Sequence, residues 1–241
     1  FQFPILDCLH LNKYKHIAEW YANPENHDYS KKQDKQIVAG VEHTFAWGGG
    51  HGARAKYSAD GVFLIIDVTA YYPSLQKKYH FGYRVMNHPE NFEFIHDSNI
   101  AYKRKGDKKA RQPFKIMDNA ISGRMKQKSS ALYDPMSNNS ICINGQLLLL
   151  DLVEHIEPYC ELIQNNTDGI IVKLKDYEHD FDVLDDVVYE WEQRTGMKMD
   201  FDTYIGTIYQ KDVNNYLLID RKTGAVKAKG GYVMKLNDLS Y

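Results

Sequence analysis

The sequence predicts an α+β fold, with mixed strands carrying packed helices. Two observations lead there. Short apolar, β-branched runs and hairpin-like polar turns are interspersed with longer segments of helical apolar spacing, in no repeating order. The chain is also large enough, at 241 residues and 43% hydrophobic, to bury a sizeable core as one large domain or two small ones.

Taken in order, residues 11–22 ("LNKYKHIAEWYA") have a loose helical pattern, and a polar connector follows. Residues 36–47 ("QIVAGVEHTFAW") read as one strand, running into the glycine loop "GGGHGA" at 48–53. "GVFLIIDV" (61–68) is a continuous apolar run, expected as a strand buried on both faces and ending at Asp67. "YYPSLQKKY" predicts a turn and a short helix. The stretch 102–128 is basic, with ten Lys or Arg against Asp107 and Asp118 only. Pro113 suits the first turn of a helix running through Lys115 and Asn119. "SICINGQLLLLDLVEHIEPY" reads as a strand or loop entering a long helix stopped near Pro158. "LIQNNTDGIIVKL" (162–174) is a hairpin with Asp168 at its tip. Val183, Leu184, Val187, Val188 and Trp191 have helical spacing, with Gly196 as the stop. "TIYQKDVNNYLLID" and "AVKAKGGYVM" read as two strands around "DRKTG".

Composition narrows the function classes. Net charge is −2, so a nucleic-acid surface has to come from local clustering such as 102–128. Cys8, Cys142 and Cys160 are odd in number and widely spaced, which speaks against a disulfide framework or a zinc site. No apolar run reaches membrane-spanning length, and the first residues lack signal-peptide features. His51 in the glycine loop reads as a hydrogen-bonding residue rather than a catalytic one.

Asp67 and Asp168 share a setting: each stands at or beside the end of a strongly apolar β segment, a rigid mount for a metal ligand. Two such carboxylates suffice for a pair of Mg²⁺ ions ~3.5–4 Å apart, the arrangement that serves phosphoryl transfer. Taken singly, Asp168 also reads as an Asp-Gly turn residue, and Asp67 as a cap of the turn into "YYPSL".

These residues carry a resemblance. "DVTAYYPSL" resembles motif A of family B DNA polymerases, "KIMDNAISG" motif B, and "NNTDGIIV" motif C. "DVNNYLLI" falls where that family has its Lys-x-Tyr motif, and "FAWGGGHGA" where protein-primed members carry Tyr-x-Gly-Gly. The five occur in family order over residues 45–219, with the strongest likeness to bacteriophage polymerases. The resemblance implies a polymerase palm of antiparallel strands with helices on one face. An N-terminal segment (1–44) would lead to a first palm segment (45–75), a short helical fingers insertion (76–128) and a second palm segment (129–241).

The roles it implies are specific. Asp67 and Asp168 are the metal-binding, catalytic carboxylates, with the Val68 carbonyl completing one site for Mg²⁺, which Mn²⁺ can replace. Tyr72 lies under the sugar and excludes a 2′-hydroxyl; Arg104, Lys115 and Asn119 meet the incoming nucleotide, although Lys105, Lys108 and Arg111 compete with Arg104. Gly48, Gly49 and Gly50 touch the template, and Lys211, Asn214 and Tyr216 the primer. The chain departs from the family at Ala70 and Ser122, where Ser and Tyr are usual, at Asn166 in place of the first Asp of motif C, and at Asn214 in place of Lys. Lys211 is the expected compensation for the last change.

The implied activity is template-directed DNA synthesis from a primer. The implied partners are primer-template DNA and deoxynucleoside triphosphates, in the cytoplasm of an infected bacterial host. The exonuclease and thumb of the family have no counterpart in these residues, which implies a fragment or a stripped-down core whose missing portions lie on a longer chain or a separate subunit. Two alternatives remain beside it: a primase-polymerase or reverse-transcriptase-like enzyme with the same palm, and a thumbless palm that binds DNA or a partner without catalysis.

Overall fold

The computed structural model describes residues 4–27 and 32–231. The first half contains α1 (Lys15–Ala22), β1 (Gln33–Val38), β2 (Val41–Ala46), β3 (Gly49–Ala53), β4 (Tyr57–Val68) and α2 (Tyr71–Tyr79). Then come α3 (Pro89–Lys105), α4 (Lys108–Arg124) and α5 (Pro135–Ile156). The rest is β5 (Cys160–Asn165), β6 (Gly169–Leu174), α6 (Tyr177–Thr195), β7 (Met199–Asp212), β8 (Asn215–Asp220) and β9 (Val226–Lys229). The nine strands form one sheet in the order β1-β2-β3-β5-β6-β4-β7-β8-β9, and every neighbouring pair is antiparallel. The α+β expectation holds, with an antiparallel sheet.

Strand periodicity sorts β4 into two faces. Leu64, Ile66 and Val68 join the main core with Leu75 of α2, Leu147 of α5 and Leu184 and Trp191 of α6. Phe63 and Ile65 face the other way, into a smaller cluster with Ile163, Ile171, Ile208, Tyr216 and Leu218 that contains no helical residue. Among the described residues, helices therefore cover one face only, and Asp67 follows Phe63 and Ile65 onto the helix-free face.

Helix α5 is buried along almost its whole length, its polar Ser137, Asn138, Ser140, Asn144, Gln146 and Asp151 included. Asp134 caps it by accepting from the Ser137 amide, and Pro135 occupies the first turn. Its buried Asp151 takes a two-pronged ion pair from Arg194 of α6 (2.6 and 2.8 Å). Side chains of α5 also capture the incoming chain: Asn144 accepts from the Leu6 amide, Asp151 from His10 and Glu154 from Tyr14. Helix α6 starts at the Asp176 cap and stops at Gly196, which is left-handed (φ 76°).

Helices α3 and α4 form an antiparallel hairpin turned at left-handed Gly106, with Asp107 capping α4. A buried polar cluster joins them. Asp118 accepts from Asn99 Nδ2 and is bonded to His96 Nδ1 (both 2.8 Å), and Arg111 donates to Asn99 Oδ1 (2.8 Å).

Several local expectations are corrected. Residues 36–47 are not one strand, because Ala39 and Gly40 are both left-handed (φ 49° and 76°) and turn the chain between β1 and β2. Those strands belong to the common sheet, so the sheet begins before residue 45. Pro113 lies inside α4, which starts five residues earlier at Lys108. Segment 140–156 is helical throughout. "TIYQKDVNNYLLID" is two strands, β7 and β8, turned at Val213 and Asn214. The last expected strand, 225–234, is seen as β9 over Val226–Lys229 only, and its residues 232–234 lie outside the described residues. No helix among the described residues is long and apolar enough to cross a membrane.

Candidate active site

Sheet register decides whether Asp67 and Asp168 meet. Asp67 pairs with Gly169, the residue after Asp168, and the Val68 amide donates to the Asp168 carbonyl (2.8 Å). Asp67, at the end of β4, and Asp168, in the β5–β6 turn one residue before β6, therefore stand next to each other at one end of the sheet. Gly169 is needed there, since a Cβ would come within 2.0 Å of Asp67 Oδ1 and 2.8 Å of the Ile66 carbonyl. Burial raises the Asp67 carboxyl above its ordinary value; nearby Asp168 and Asp202 add to the rise, while Lys227 pulls against it. Lys227 of β9 places its ammonium 3.5 Å from Asp67 Oδ2.

The β5–β6 turn is closed by the Asn166 amide donating to the Gly169 carbonyl (2.8 Å). The side-chain carbonyl of Asn166 accepts from the Thr167 amide (2.8 Å), so it serves the turn locally. Beyond β4, Ala70 is left-handed (φ 44°) and leads into α2 without a side-chain cap. That backbone costs ~1–2 kcal/mol for a residue with a Cβ. The Tyr71 and Tyr72 amides thus receive no side-chain cap from Ala70, and Pro73 has no N–H to cap.

Tyr72 lies in the first turn of α2 against Gly145 of α5, where a Cβ would approach its ring to 3.2 Å. Its hydroxyl is buried beside the Cys142 thiol. Burial pushes that phenol up, with smaller effects from Cys142 and Asp168. Tyr216 joins the same neighbourhood: burial raises its phenol and the charges of Asp67 and Asp168 add to the rise.

The glycine segment is not a loop. Gly48 sits in a turn, Gly49 begins β3, and β3 pairs with β5 through Gly52–Asn165 and Ala53–Gln164. Gly50 lies against Gln146 of α5, and a Cβ there would come within 2.3 Å of its Oε1. Gln146 in turn accepts from Tyr21 Oη (2.8 Å) and donates to the Ala46 carbonyl (3.0 Å). One turn of α5, Gly145–Gln146, thus abuts both Tyr72 and the glycine strand.

The other expected residues are placed differently. Lys115 and Asn119 stand one turn apart on the exposed side of α4, with no ion pair or side-chain hydrogen bond to the sheet among the described residues. Arg104 is exposed near the end of α3 and lines a cavity of about 840 Å³ beside Thr69 and Asp200. Asn214 is exposed at the β7–β8 turn, where its amide donates to Asp212 Oδ1 (2.9 Å). Lys211 is exposed near that turn, and its carbonyl accepts from the Lys56 amide (3.1 Å).

Sequence reading missed Lys227, which lies 160 positions from Asp67 with no local pattern to single it out. It also missed Asp200, which pairs with Asp67 across β4–β7. Thr69 donates to Asp200 Oδ2 (2.6 Å), and Lys103 of α3 binds both Thr69 and Asp200.

An all-oxygen donor set of Asp67, Asp168 and the Val68 carbonyl has the chemistry of a hard divalent-cation site. No group of three or more His, Cys, Asp or Glu side chains converges among the described residues. Mg²⁺ is commonly held by one or two carboxylates with water and substrate phosphates, so two carboxylates fit it.

An antiparallel sheet with helices packed on it is compatible with a polymerase palm-like fold. Among solved structures, the chain is similar to that of the family B DNA polymerase from the hyperthermophilic archaeon Pyrobaculum calidifontis. The TM-score is 0.50 at 18% identity, over 86% of this chain and 30% of that one. At that identity the likeness establishes the fold alone, and the chain spans under a third of the matched polymerase. No family profile and no curated protein matches the chain.

Proposed function

We propose that the chain is the palm and fingers of a family B-like DNA polymerase of bacteriophage type, extending a primer on a DNA template. The observation that carries this reading is the juxtaposition of Asp67, at the end of β4, and Asp168, in the β5–β6 turn, at one end of the sheet. The helix-free face offers room for the primer-template duplex. The α3–α4 hairpin, with its excess of Lys and Arg, is the fingers.

Asp67, Asp168 and the Val68 carbonyl would hold two Mg²⁺ ions, or Mn²⁺ in their place. Such a pair supplies Lewis-acid stabilisation of the attacking and leaving oxygens. The chain's own residues bind and orient. The ring of Tyr72, fixed against Gly145, sits beneath the sugar and selects the deoxy form. Arg104 and Lys115 offset charge developing on the triphosphate, with Asn119 one turn from Lys115 on α4. Gly48, Gly49 and Gly50 guide the template, while Tyr216 and the β7–β8 turn at Lys211 and Asn214 steady the primer. Lys227 adds a cation beside Asp67 where Asn214 lacks one. The primer 3′-oxygen bonds to the α-phosphorus, its proton passes to water, and pyrophosphate departs with the bonding pair.

Primer extension on a primed template tests the reading. The native chain should add deoxynucleotides with Mg²⁺, and Asp168→Ala should reduce the rate by at least about a hundredfold. Equal extension by both proteins would remove Asp168 from the chemistry. Duplex binding without extension by either would leave a binding module.

A further inference from the structure

The α3–α4 hairpin carries a row of rings that the proposed function does not use. Phe94 and Tyr102 stand eight residues apart on α3, with the small Ser98 midway between them. Phe114 of α4 meets both rings, edge-on to Phe94 (6.1 Å between centroids) and stacked on Tyr102 (5.6 Å). Core packing does not account for the row. Phe94 is 65% exposed, Tyr102 and Phe114 are partly exposed, and exposed Met117 extends the apolar surface along α4. A cation closes one end: the Lys105 ammonium lies 6.0 Å from the centre of the Tyr102 ring.

Helical periodicity separates this row from the residues assigned to the nucleotide. Phe94 precedes Lys103 by nine residues, about two and a half turns, so it projects from the opposite side of α3. Lys103 reaches Thr69 and Asp200 at the sheet, which leaves Phe94 on the outer side. On α4, Phe114 and Met117 fall on one side of buried Asp118, and Lys115 and Asn119 on the other.

Charge selects the class of partner. Residues 102–115 hold seven Lys or Arg against Asp107 alone. Lys105, Lys108 and Lys109, exposed around the Gly106 turn, have no ion-pair partner among the described residues. Open ring faces beside unpaired cations match an unpaired polynucleotide, whose bases stack while its phosphates meet the cations. A duplex keeps its base faces covered and has no use for the rings. We infer that the outer side of the α3–α4 hairpin is a binding site for single-stranded DNA, separate from the carboxylate end of the sheet. The choice of DNA over RNA rests on the proposed polymerase function; the stacking site does not.

Fluorescence anisotropy with a labelled oligo-dT, in EDTA and without nucleotide, tests this. Phe94→Ala and Phe114→Ala should each weaken oligo-dT binding roughly fivefold or more, the lower end of one base–aromatic stack. Binding of a blunt duplex of the same length should not change. Phe94→Trp keeps a ring at an exposed position, so it should retain affinity, and its indole fluorescence should be quenched on binding. Retained oligo-dT affinity in both alanine variants, or no binding by the native chain, would overturn the assignment. Single strand and duplex weakened alike would also overturn it, by reducing the surface to electrostatics. Tighter binding of oligo-rU than of oligo-dT through the same rings would replace DNA with RNA. The assay holds neither Mg²⁺ nor nucleotide, so a failed polymerase reading and a failed stacking site give different results.

Discussion

Replacing Gly169 with alanine probes the carboxylate pair without removing either carboxylate. The new Cβ would lie 2.0 Å from Asp67 Oδ1, 2.8 Å from the Ile66 carbonyl and 3.0 Å from Asp67 Cα. Ordinary contact begins near 3.4 Å, so the oxygen must retreat by about 1.4 Å (3.4 minus 2.0). The two backbone atoms sit within the β4–β6 ladder and have little freedom to follow. Overpacking of this kind costs ~1–3 kcal/mol of stability. A displacement of ~1 Å in a catalytic group costs ~10²-fold in rate. The assay is single-turnover primer extension at saturating nucleotide, with urea denaturation of the same preparation. Gly123→Ala in α4 is the control, because a Cβ there meets nothing within 4 Å. A folded Gly169→Ala protein that extends primers at the native rate would refute the claim that this contact fixes a working Asp67.

Three further outcomes follow from the same geometry. Asp151→Ala leaves Arg194, only 10% exposed, without its buried partner, and should cost ~3–5 kcal/mol in urea denaturation. Asp220 accepts the Ile205, Lys222 and Thr223 amides, which hold its carboxyl down to about 2, below an unfolded value of ~3.9. Its stabilising effect is therefore full above about pH 4 and lost as pH falls towards 2. Melting followed against pH should show this acid loss in the native chain and a smaller one in Asp220→Asn. Tyr72→Val should raise ribonucleotide incorporation by roughly tenfold or more in competition assays; free use of ribonucleotides by the native chain would count against the role given to Tyr72.

What the sequence disclosed follows from what local chemistry encodes. Strand β4 was legible because residues 62–66 form an unbroken apolar run rich in β-branched side chains, and α6 because its apolar spacing ends at a glycine. The β1–β2 turn was hidden: Ala39 and Gly40 sit inside an apolar run, and only their left-handed backbone breaks it. Strand β3 ran against propensity, since glycines disfavour strands. Its extended form is set by neighbours distant in sequence, Phe45, Gln146 and Asn165. Likewise, Asp67 and Asp168 were readable from their strand-end settings, but Lys227 and Asp200 reach the same place through sheet order and register. Asp118 looked like a stray acid in a basic segment, and only the α3–α4 packing makes it the buried acceptor for His96 and Asn99.

The abutment at Gly145–Gln146 has a consequence for anyone redesigning the molecule. Tyr72 on one side and the glycine strand on the other lean on a single helical turn, so they share one mechanical reference. Sliding or rotating α5 to enlarge one side shifts the other in step. Independent tuning of the two therefore has to be sought in Tyr72 and Gly50 themselves, with the helix between them left alone.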